Sequence, residues 1–237
     1  MDLLQRAKDA SWYHTLELGD GHETTGWFDL RPFVHHYGLP ERMDGMRVLE
    51  VGTWDGFWAF EMERRGATVL ALDLDDVQAL DFPPRRRPDP AREHPRRGQG
   101  FELAHEILDS KVERVVLSVY DATPEELGTF DLVFCGTVLV HLRDQLLALE
   151  RIAGLCTGTF ISAEEYDRWA GWVPFPVSRY HADRDADVVF WLPSARTWRK
   201  MIWTAGFDRV VEQGRFTMKA VDGLEVRHVV IHGHKDA

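Results

Sequence analysis

Short apolar runs alternate along the chain with longer stretches whose apolar residues recur at the spacing of a helix. The short runs are typical of buried strands, and the periodic stretches are typical of helices that pack on them. Because strands and helices alternate, we predict an α/β fold with a mainly parallel sheet. The predicted strands cover residues 47–51, 68–73, 114–119, 130–135, 158–163 and 207–212, and the predicted helices cover about 56–65, 101–109, 143–153 and 194–205, with a short helix at Pro124.

The C-terminal part of the pattern predicts an antiparallel hairpin. Strands 215–220 and 226–234 are separated by Val221-Asp-Gly-Leu224, and Asp-Gly between two such strands is a strong hairpin signal. This hairpin puts one antiparallel strand into the otherwise parallel sheet.

Three segments interrupt the pattern. Residues 1–46 contain no strong strand signal, and we predict an N-terminal extension that covers the active site of a main domain at 47–237. Residues 82–100 contain five prolines and, between Arg85 and Arg97, six arginines, so they are predicted to form a surface loop. Residues 164–193 are rich in tryptophan and are predicted to meet the acceptor.

The most informative segment is Arg47-Val-Leu-Glu-Val-Gly-Thr-Trp-Asp-Gly56, a strand that feeds a glycine turn. Open α/β folds bind ligands at this edge of the sheet. Glu50 lies near the end of this strand, and the next strand ends in Asp73. Two strands that end in acids beside a glycine turn indicate a nucleoside site. Trp54 replaces the middle glycine of a dinucleotide fingerprint, which disfavours a diphosphate ligand.

Composition narrows the function classes. The chain has 237 residues, 44% of them hydrophobic, and a formal net charge of −11, which argues against broad contact with a nucleic-acid backbone but leaves a local basic patch open. Its two cysteines lack metal-ligand spacing, and no apolar run approaches the ~20 residues that cross a bilayer. We expect a cytoplasmic protein without a membrane contact or a metal site, and the oligomeric state stays open.

Residues 48–56 resemble the first motif of class I S-adenosylmethionine-dependent methyltransferases, hydrophobic-hydrophobic-Asp/Glu-x-Gly-x-Gly-x-Gly, apart from Trp54. The resemblance covers roughly residues 47–165 and implies a Rossmann-like sheet with helices on both faces and S-adenosyl-L-methionine as cofactor. It implies that Glu50, Gly52 and Thr53 border the methionine part of the cofactor. Asp73 and Leu74 would hold its ribose.

Two later segments extend this resemblance. Tyr120 would flank the adenine and Asp121 would accept its amine, although Asp121 equally fits the start of the turn before Pro124. Residues 135–141, with Gly136, resemble the loop that runs past the sulfonium. Trp27 and Arg31 would cover the open side of the cofactor, with Arg31 meeting its carboxylate, or would only pack the extension on the sheet.

A narrower resemblance links the chain to the tRNA wobble-uridine alkyltransferases. Trp27 with Arg31, Gly136-Thr-Val-Leu-Val-His141, Arg179-Tyr180 and Trp191-Leu-Pro-Ser194 recur in that order in the subgroup. Val140 stands where its carboxymethylating members have a tyrosine, and the chain lacks their basic character. We therefore predict ordinary methyl transfer to oxygen or nitrogen of a small-molecule acceptor, such as a secondary metabolite or its sugar. The alternatives are a tRNA enzyme and a non-catalytic nucleoside-binding module.

The predicted catalytic residues are His141, Glu164 and Tyr180. His141 is the candidate general base because histidine titrates near neutrality, and it equally fits a structural role in its loop. Glu164 leaves the fifth strand and is expected to face the acceptor space. Tyr180 is expected to orient the acceptor within a wall made of Trp169, Trp172, Arg179 and Trp191, or to belong to a flap that packs on itself.

Overall fold

The N-terminal extension contains regular structure that the sequence pattern does not reveal. The computed structural model describes residues 3–89, 91, 97–181 and 189–236. A parallel ladder and an antiparallel ladder form within the extension, and their strands are too short to produce a periodic signal. The elements are α1 (Leu3–Asp9), β1 (Trp12–His14), β2 (Glu17–Gly19), β3 (His22–Glu23), β4 (Gly26–Phe28) and a 3-10 helix (Arg31–Tyr37).

The main domain supplies the remaining helices and strands. They are β5 (Arg47–Val51), α2 (Phe57–Arg64), β6 (Thr68–Asp73), α3 (Gln99–Ile107), β7 (Glu113–Val116), α4 (Pro124–Leu127), β8 (Phe130–Gly136), α5 (Gln145–Leu155), β9 (Cys156–Glu165), β10 (Ser178–Tyr180), β11 (Trp191–Pro193), α6 (Ala195–Thr204), β12 (Arg209–Lys219) and β13 (Glu225–His234).

The central sheet has seven strands in the order β12-β13-β9-β8-β5-β6-β7. The strands from β9 to β7 are parallel, and β13 is antiparallel to both of its neighbours. The predicted fold class, with its C-terminal hairpin, is therefore confirmed. The carboxyl ends of β5, β6, β8 and β9 meet at one edge of this sheet.

Helices cover both faces of the sheet, because side chains alternate along each strand. Val48 packs into the core under α2, α3 and the extension, whereas its neighbour Leu49 packs into the core under α4, α5 and α6. Both residues are fully buried. No helix among the described residues is long and apolar enough to cross a bilayer.

Some boundaries differ from the prediction for local physical reasons. Helix α5 begins at Gln145 rather than 143 because Asp144 caps it, with Oδ1 accepting from the backbone N–H of Leu147 at 3.0 Å. The predicted strands 207–212 and 215–220 are one strand, β12. An irregularity between Glu212 and Gly214 shifts the register without ending the ladder, as a β-bulge does. The hairpin turn at 221–224 forms as predicted.

Candidate active site

The glycine turn after β5 is in close contact with the loop after β8. Gly52 and Gly56 have φ values of 81° and 90°, which favour glycine, and Trp54 between them has a φ of 49°. A Cβ atom at position 52 would lie 2.3 Å from Cγ2 of Val138, which belongs to the loop after β8. The turn therefore requires glycine both for its backbone angles and for the close approach of this loop.

Asp73 lies at the end of β6 with its carboxylate fixed toward the same turn. Oδ2 accepts from the backbone N–H of Trp54, and Oδ1 accepts from that of Leu74, each at 2.7 Å. Arg97 places Nη2 3.5 Å from Oδ1 of Asp73, and its guanidinium lies 3.9 Å from the centre of the Trp54 ring. The acid is thus held in one orientation before any ligand arrives.

Residues 82–100 were predicted to form a surface loop, and Arg97 departs from that prediction. Its side chain contacts Asp73 and donates Nε to the carbonyl of Leu74 at 3.1 Å, so it belongs to the site rather than to a solvated loop. Sequence analysis offered no signal that separated Arg97 from its neighbours. Arg92 and Arg96 lie outside the described residues.

Three buried polar atoms near the turn have no hydrogen bond of normal geometry among the described residues, although the Thr53 side chain lies close enough to Glu50 to lower its pKa. They are Oε2 of Glu50, Oγ1 of Thr53 and Nδ1 of His14. Burial raises the pKa of Glu50 to about 8 and lowers that of His14 to about 3. Buried polar atoms without partners cost free energy, so this part of the turn fits a polar ligand that would satisfy them.

The segment after β7 gives different outcomes for Tyr120 and Asp121. The hydroxyl of Tyr120 donates to Oδ2 of Asp81 at 2.8 Å and accepts from the backbone N–H of Asp144 at 3.0 Å, so this ring ties two loops together. Asp121 is exposed, and its backbone N–H donates to the carbonyl of Ser118 in a turn. The turn interpretation of Asp121 fits this geometry.

Glu164 does not face the acceptor space, and that expectation was wrong. Its side chain is 1% exposed and accepts from the backbone N–H groups of Val138, Leu139 and Val140 at 3.1–3.3 Å. Burial raises its pKa to about 8, although these three hydrogen bonds oppose that shift. Glu164 therefore shapes the loop after Gly136. His141 ends the 3-10 helix of this loop and is exposed.

Sequence analysis missed a buried pair in the same loop. Oγ1 of Thr137 lies 2.9 Å from Nε2 of His228, a fully buried residue of β13. Nδ1 of His228 lies 3.3 Å from the carbonyl oxygen of Val226, which can only accept, so Nδ1 carries the ring proton. Burial lowers the pKa of His228 to about 4, so the ring is neutral near pH 7. The available signal was a histidine inside an apolar strand.

The contact with His228 fixes which way the Thr137 hydroxyl hydrogen-bonds. Because Nε2 of neutral His228 is an acceptor, the Thr137 hydroxyl donates to it, which leaves the hydroxyl oxygen free to accept. Thr137 has a φ of 56°, a strained conformation for a β-branched residue. Strain of this kind concentrates at functional sites. The neighbouring Val138 touches the glycine turn, so Thr137 lies close to the expected cofactor side.

Arg31 forms ion pairs within the N-terminal extension, whereas it was expected to meet the carboxylate of the cofactor. Its guanidinium contacts Asp29 at 2.8 Å, Glu23 at 2.7 Å and Glu17 at 3.4 Å, and Asp29 and Glu23 raise its pKa. A cofactor carboxylate would have to displace these ion pairs. Trp27 is linked to the turn through Tyr13, whose ring lies 5.7 Å from that of Trp27 and 4.7 Å from that of Trp54.

The tryptophan-rich segment does not wall off an enclosed space in its described part. Tyr180 is 62% exposed with its ring 4.8 Å from that of Trp191, and Trp172 is 83% exposed. Arg179 pairs with the buried Asp167 at 2.7 Å. These side chains are exposed on the surface of the described structure, and the aromatic wall around the acceptor stays a prediction. Residues 182–188 of this segment lie outside the described residues.

Comparisons with known proteins agree with this architecture. A family model described as a methyltransferase domain matches residues 27–213. The mitochondrial ubiquinone biosynthesis O-methyltransferase of Mus musculus is 22% identical over 197 residues, which cover 80% of this chain and 46% of the relative. The ubiquinone biosynthesis O-methyltransferase of Vibrio parahaemolyticus is 30% identical over 129 residues, which cover 53% of this chain and 46% of the relative. The chain thus spans less than half the length of these curated relatives.

A solved structure is similar over the whole chain. The N-terminal domain of EvdMO1, crystallised in the presence of SAH and D-fucose, superposes with a TM-score of 0.63 at 20% identity and covers 100% of this chain and 98% of that one. This likeness shows the fold. These relatives lend no support to the narrower resemblance to tRNA wobble-uridine alkyltransferases. Because the family model matches most of the residues that carry the sheet and the glycine turn, the chain belongs to the methyltransferase-domain family.

Proposed function

We propose that the chain transfers a methyl group from S-adenosyl-L-methionine to a hydroxyl group of a small-molecule acceptor. The observation that carries the proposal is the pairing of the glycine turn with the fixed carboxylate of Asp73. The relatives support it, since two are named O-methyltransferases and the EvdMO1 domain was crystallised in the presence of SAH and a sugar. A sugar or a related polyhydroxylated metabolite is the acceptor class that we favour.

The residues present fit this cofactor. Asp73 would accept from the ribose hydroxyls with Leu74 beside it, and Glu50, Gly52 and Thr53 would border the methionine part, where buried Oε2 of Glu50 and Oγ1 of Thr53 have no hydrogen bond of normal geometry. Tyr120 and Gly136 would contact the adenine and the sulfonium side, and Trp27 would cover the open side. When bound, the cofactor supplies an electrophilic methyl group, so the protein chiefly aligns the acceptor.

We propose that Thr137 orients the acceptor. Its hydroxyl donates to His228, so its oxygen can receive a hydrogen bond only from a donor, such as the acceptor's O–H. A donor held there presents its lone pairs elsewhere, which suits attack on the methyl carbon. The cofactor would supply the methyl group to that oxygen, and Thr137 would hold the oxygen in line with it. We propose that the proton held against Thr137 is released to solvent as the bond to the methyl carbon forms, with the exposed His141 at the end of the loop as its final acceptor.

Two measurements test this function on the full chain. Calorimetry should show binding of both S-adenosylmethionine and S-adenosylhomocysteine, and absence of both would refute the proposal. Labelled methyl transfer should then be measured with D-fucose and its methyl glycosides as acceptors. Cofactor binding without transfer to any hydroxylated acceptor would favour the non-catalytic nucleoside-binding module.

A second candidate, alkylation of a tRNA wobble uridine, is favoured by one observation. Arg85, Arg86 and Arg87 are consecutive and exposed, which suits contact with a phosphate backbone. It predicts tRNA binding that weakens steeply with salt and that is lost when these three arginines become glutamine. Salt-independent or absent tRNA binding would remove this candidate.

A further inference from the structure

A cavity of about 170 Å³ lies on the opposite face of the sheet from the extension, between α6, β12 and the segment that follows β9. Side chains from all three surround it. The lining residues are Tyr166, Arg168, Gly171, Ala195, Arg196, Arg199, Glu212 and Arg215.

The charge of this lining is opposite in sign to that of the whole chain. Four arginines meet a single carboxylate, in a protein whose formal net charge is −11. That carboxylate is already engaged, since Glu212 accepts from Nε of Arg215 at 2.7 Å and from Nη2 at 3.2 Å. Among the residues that the structure describes, no acid forms an ion pair with Arg168, Arg196 or Arg199.

The first turn of α6 is a second unfavourable feature of this cavity, beside the clustered positive charges. The N-terminal end of a helix carries a partial positive charge, and acids rather than bases normally occupy its first turn. Helix α6 has no acid in its first turn and places Arg196 there, while Ser194 caps it by accepting from the backbone N–H of Thr197. An anion in the cavity would offset both the clustered guanidinium groups and this unfavourable first turn.

The cavity is separate from the glycine turn. Arg215 pairs across β12 and β13 with Val229, which pairs with Glu164 of β9, so the cavity lies at the same end of the sheet as the cofactor side. The cavity lies on the face of the sheet that α5 and α6 cover. Its strand, β12, is two strands away from β9. Its floor is fixed, because the Arg215 guanidinium lies 5.0 Å from the Tyr166 ring and is clamped by Glu212.

We propose that this cavity binds a phosphate group. Guanidinium groups are planar and donate in pairs, which matches the oxygens of a phosphate, and the surplus of guanidinium groups over carboxylates in the lining suits the higher charge of a phosphate. The volume admits a small anion rather than a whole nucleotide. The ligand is therefore inorganic phosphate or the phosphate of a small phosphorylated metabolite.

The test is calorimetry with sodium phosphate on the full chain, at constant ionic strength against a chloride background and without cofactor. Wild type should bind phosphate saturably. The double variant Arg196→Gln/Arg199→Gln should bind roughly tenfold more weakly or worse, because it loses charge-assisted hydrogen bonds. Arg151→Gln, which changes an exposed arginine of α5, should stay within about twofold of wild type.

Each outcome decides the proposal. Heat no larger than that of chloride, or equal affinity in the double variant and in Arg151→Gln, would overturn it. Competition by glucose 1-phosphate would assign the site to phosphate esters, and its absence would leave inorganic phosphate. Binding of tRNA that depends on Arg196 and Arg199, without phosphate binding, would overturn the small-ligand assignment. Arg168→Gln is a second variant should the double variant unfold, and the proposal can fail while the methyl-transfer function stands.

Discussion

The two halves of the proposed site, a donor side at the glycine turn and an acceptor side in the tryptophan-rich segment, are built in opposite ways. On the donor side, Gly52 and Asp73 are fixed by backbone hydrogen bonds and by close contact with the β8 loop. On the acceptor side, Tyr180 and Trp172 are exposed on a short ladder and a neighbouring loop. Glu164 lies at the end of β9, the strand that leads into the tryptophan-rich segment. Its carboxylate nevertheless accepts from backbone N–H groups of the loop after β8, on the donor side.

This difference has a functional consequence. A rigid donor side suits one cofactor that every reaction shares, since preorganised groups need no rearrangement. An exposed acceptor side suits binding of an acceptor molecule through few fixed contacts. We infer that changes in the donor side abolish the proposed methyl transfer, whereas changes in the described acceptor segment mainly alter the choice of acceptor.

The largest effect is expected for Gly52→Ala. The new Cβ would lie 2.3 Å from Val138 at a φ that disfavours alanine, so the β8 loop must move. Cofactor affinity should fall about 100-fold or more, measured by calorimetry. Gly223→Ala is the matched control, because its φ is 90° but nothing lies within 4 Å of the new atom. Equal losses in both variants would show that backbone strain, not the loop contact, matters.

Asp73→Asn should come next. The amide cannot replace a carboxylate that accepts on both oxygens and would bind two ribose hydroxyls, so affinity for S-adenosylhomocysteine should fall by about 1–3 kcal/mol. Asp121→Asn, at the exposed turn, should leave that affinity nearly unchanged. A larger loss at Asp121 than at Asp73 would reverse the assignment of the adenosine site.

The donor side could be predicted from the sequence more fully than the acceptor side, and the reason is physical. Gly52, Asp73 and the strands that hold them follow local rules of turn geometry and strand burial. Thr137 and His228 are 91 positions apart and meet only through β9 and β13. Glu164 has the residue type of a catalytic acid, and only the three-dimensional fold shows that its partners are backbone groups.

Glu164→Gln tests the link between the two halves through pH. Burial raises the pKa of Glu164 from 4.5 to about 8, so the folded chain holds this proton more tightly than the unfolded chain. The free energy of unfolding should therefore fall as the pH rises from about 4.5 to about 8, and level off above that. Glu50 shifts in the same direction in both proteins. The difference between wild type and variant across this range should be on the order of 4 kcal/mol in chemical denaturation; parallel curves would contradict it.

Thr137→Val should separate the acceptor from the cofactor. It removes the oxygen that we propose receives the acceptor's proton donor and leaves the shape of the side chain, so kcat/KM for the acceptor should fall roughly tenfold. Calorimetry should show unchanged cofactor affinity, and Thr137→Ser should restore most of the rate. A parallel loss of cofactor binding would mean that the pair with His228 only supports the loop.

The smallest effect is expected for Tyr180→Ala, which tests the exposed half directly. The ring is 62% exposed and touches Trp191, so its removal should change unfolding free energy by less than about 0.5 kcal/mol. Turnover of whichever acceptor the transfer assay identifies should stay within about threefold of wild type, and Trp172→Ala should behave alike. A tenfold loss of turnover with unaltered cofactor affinity would show that the segment closes over the acceptor, because an exposed side chain can affect turnover that strongly only by contacting the substrate during the reaction.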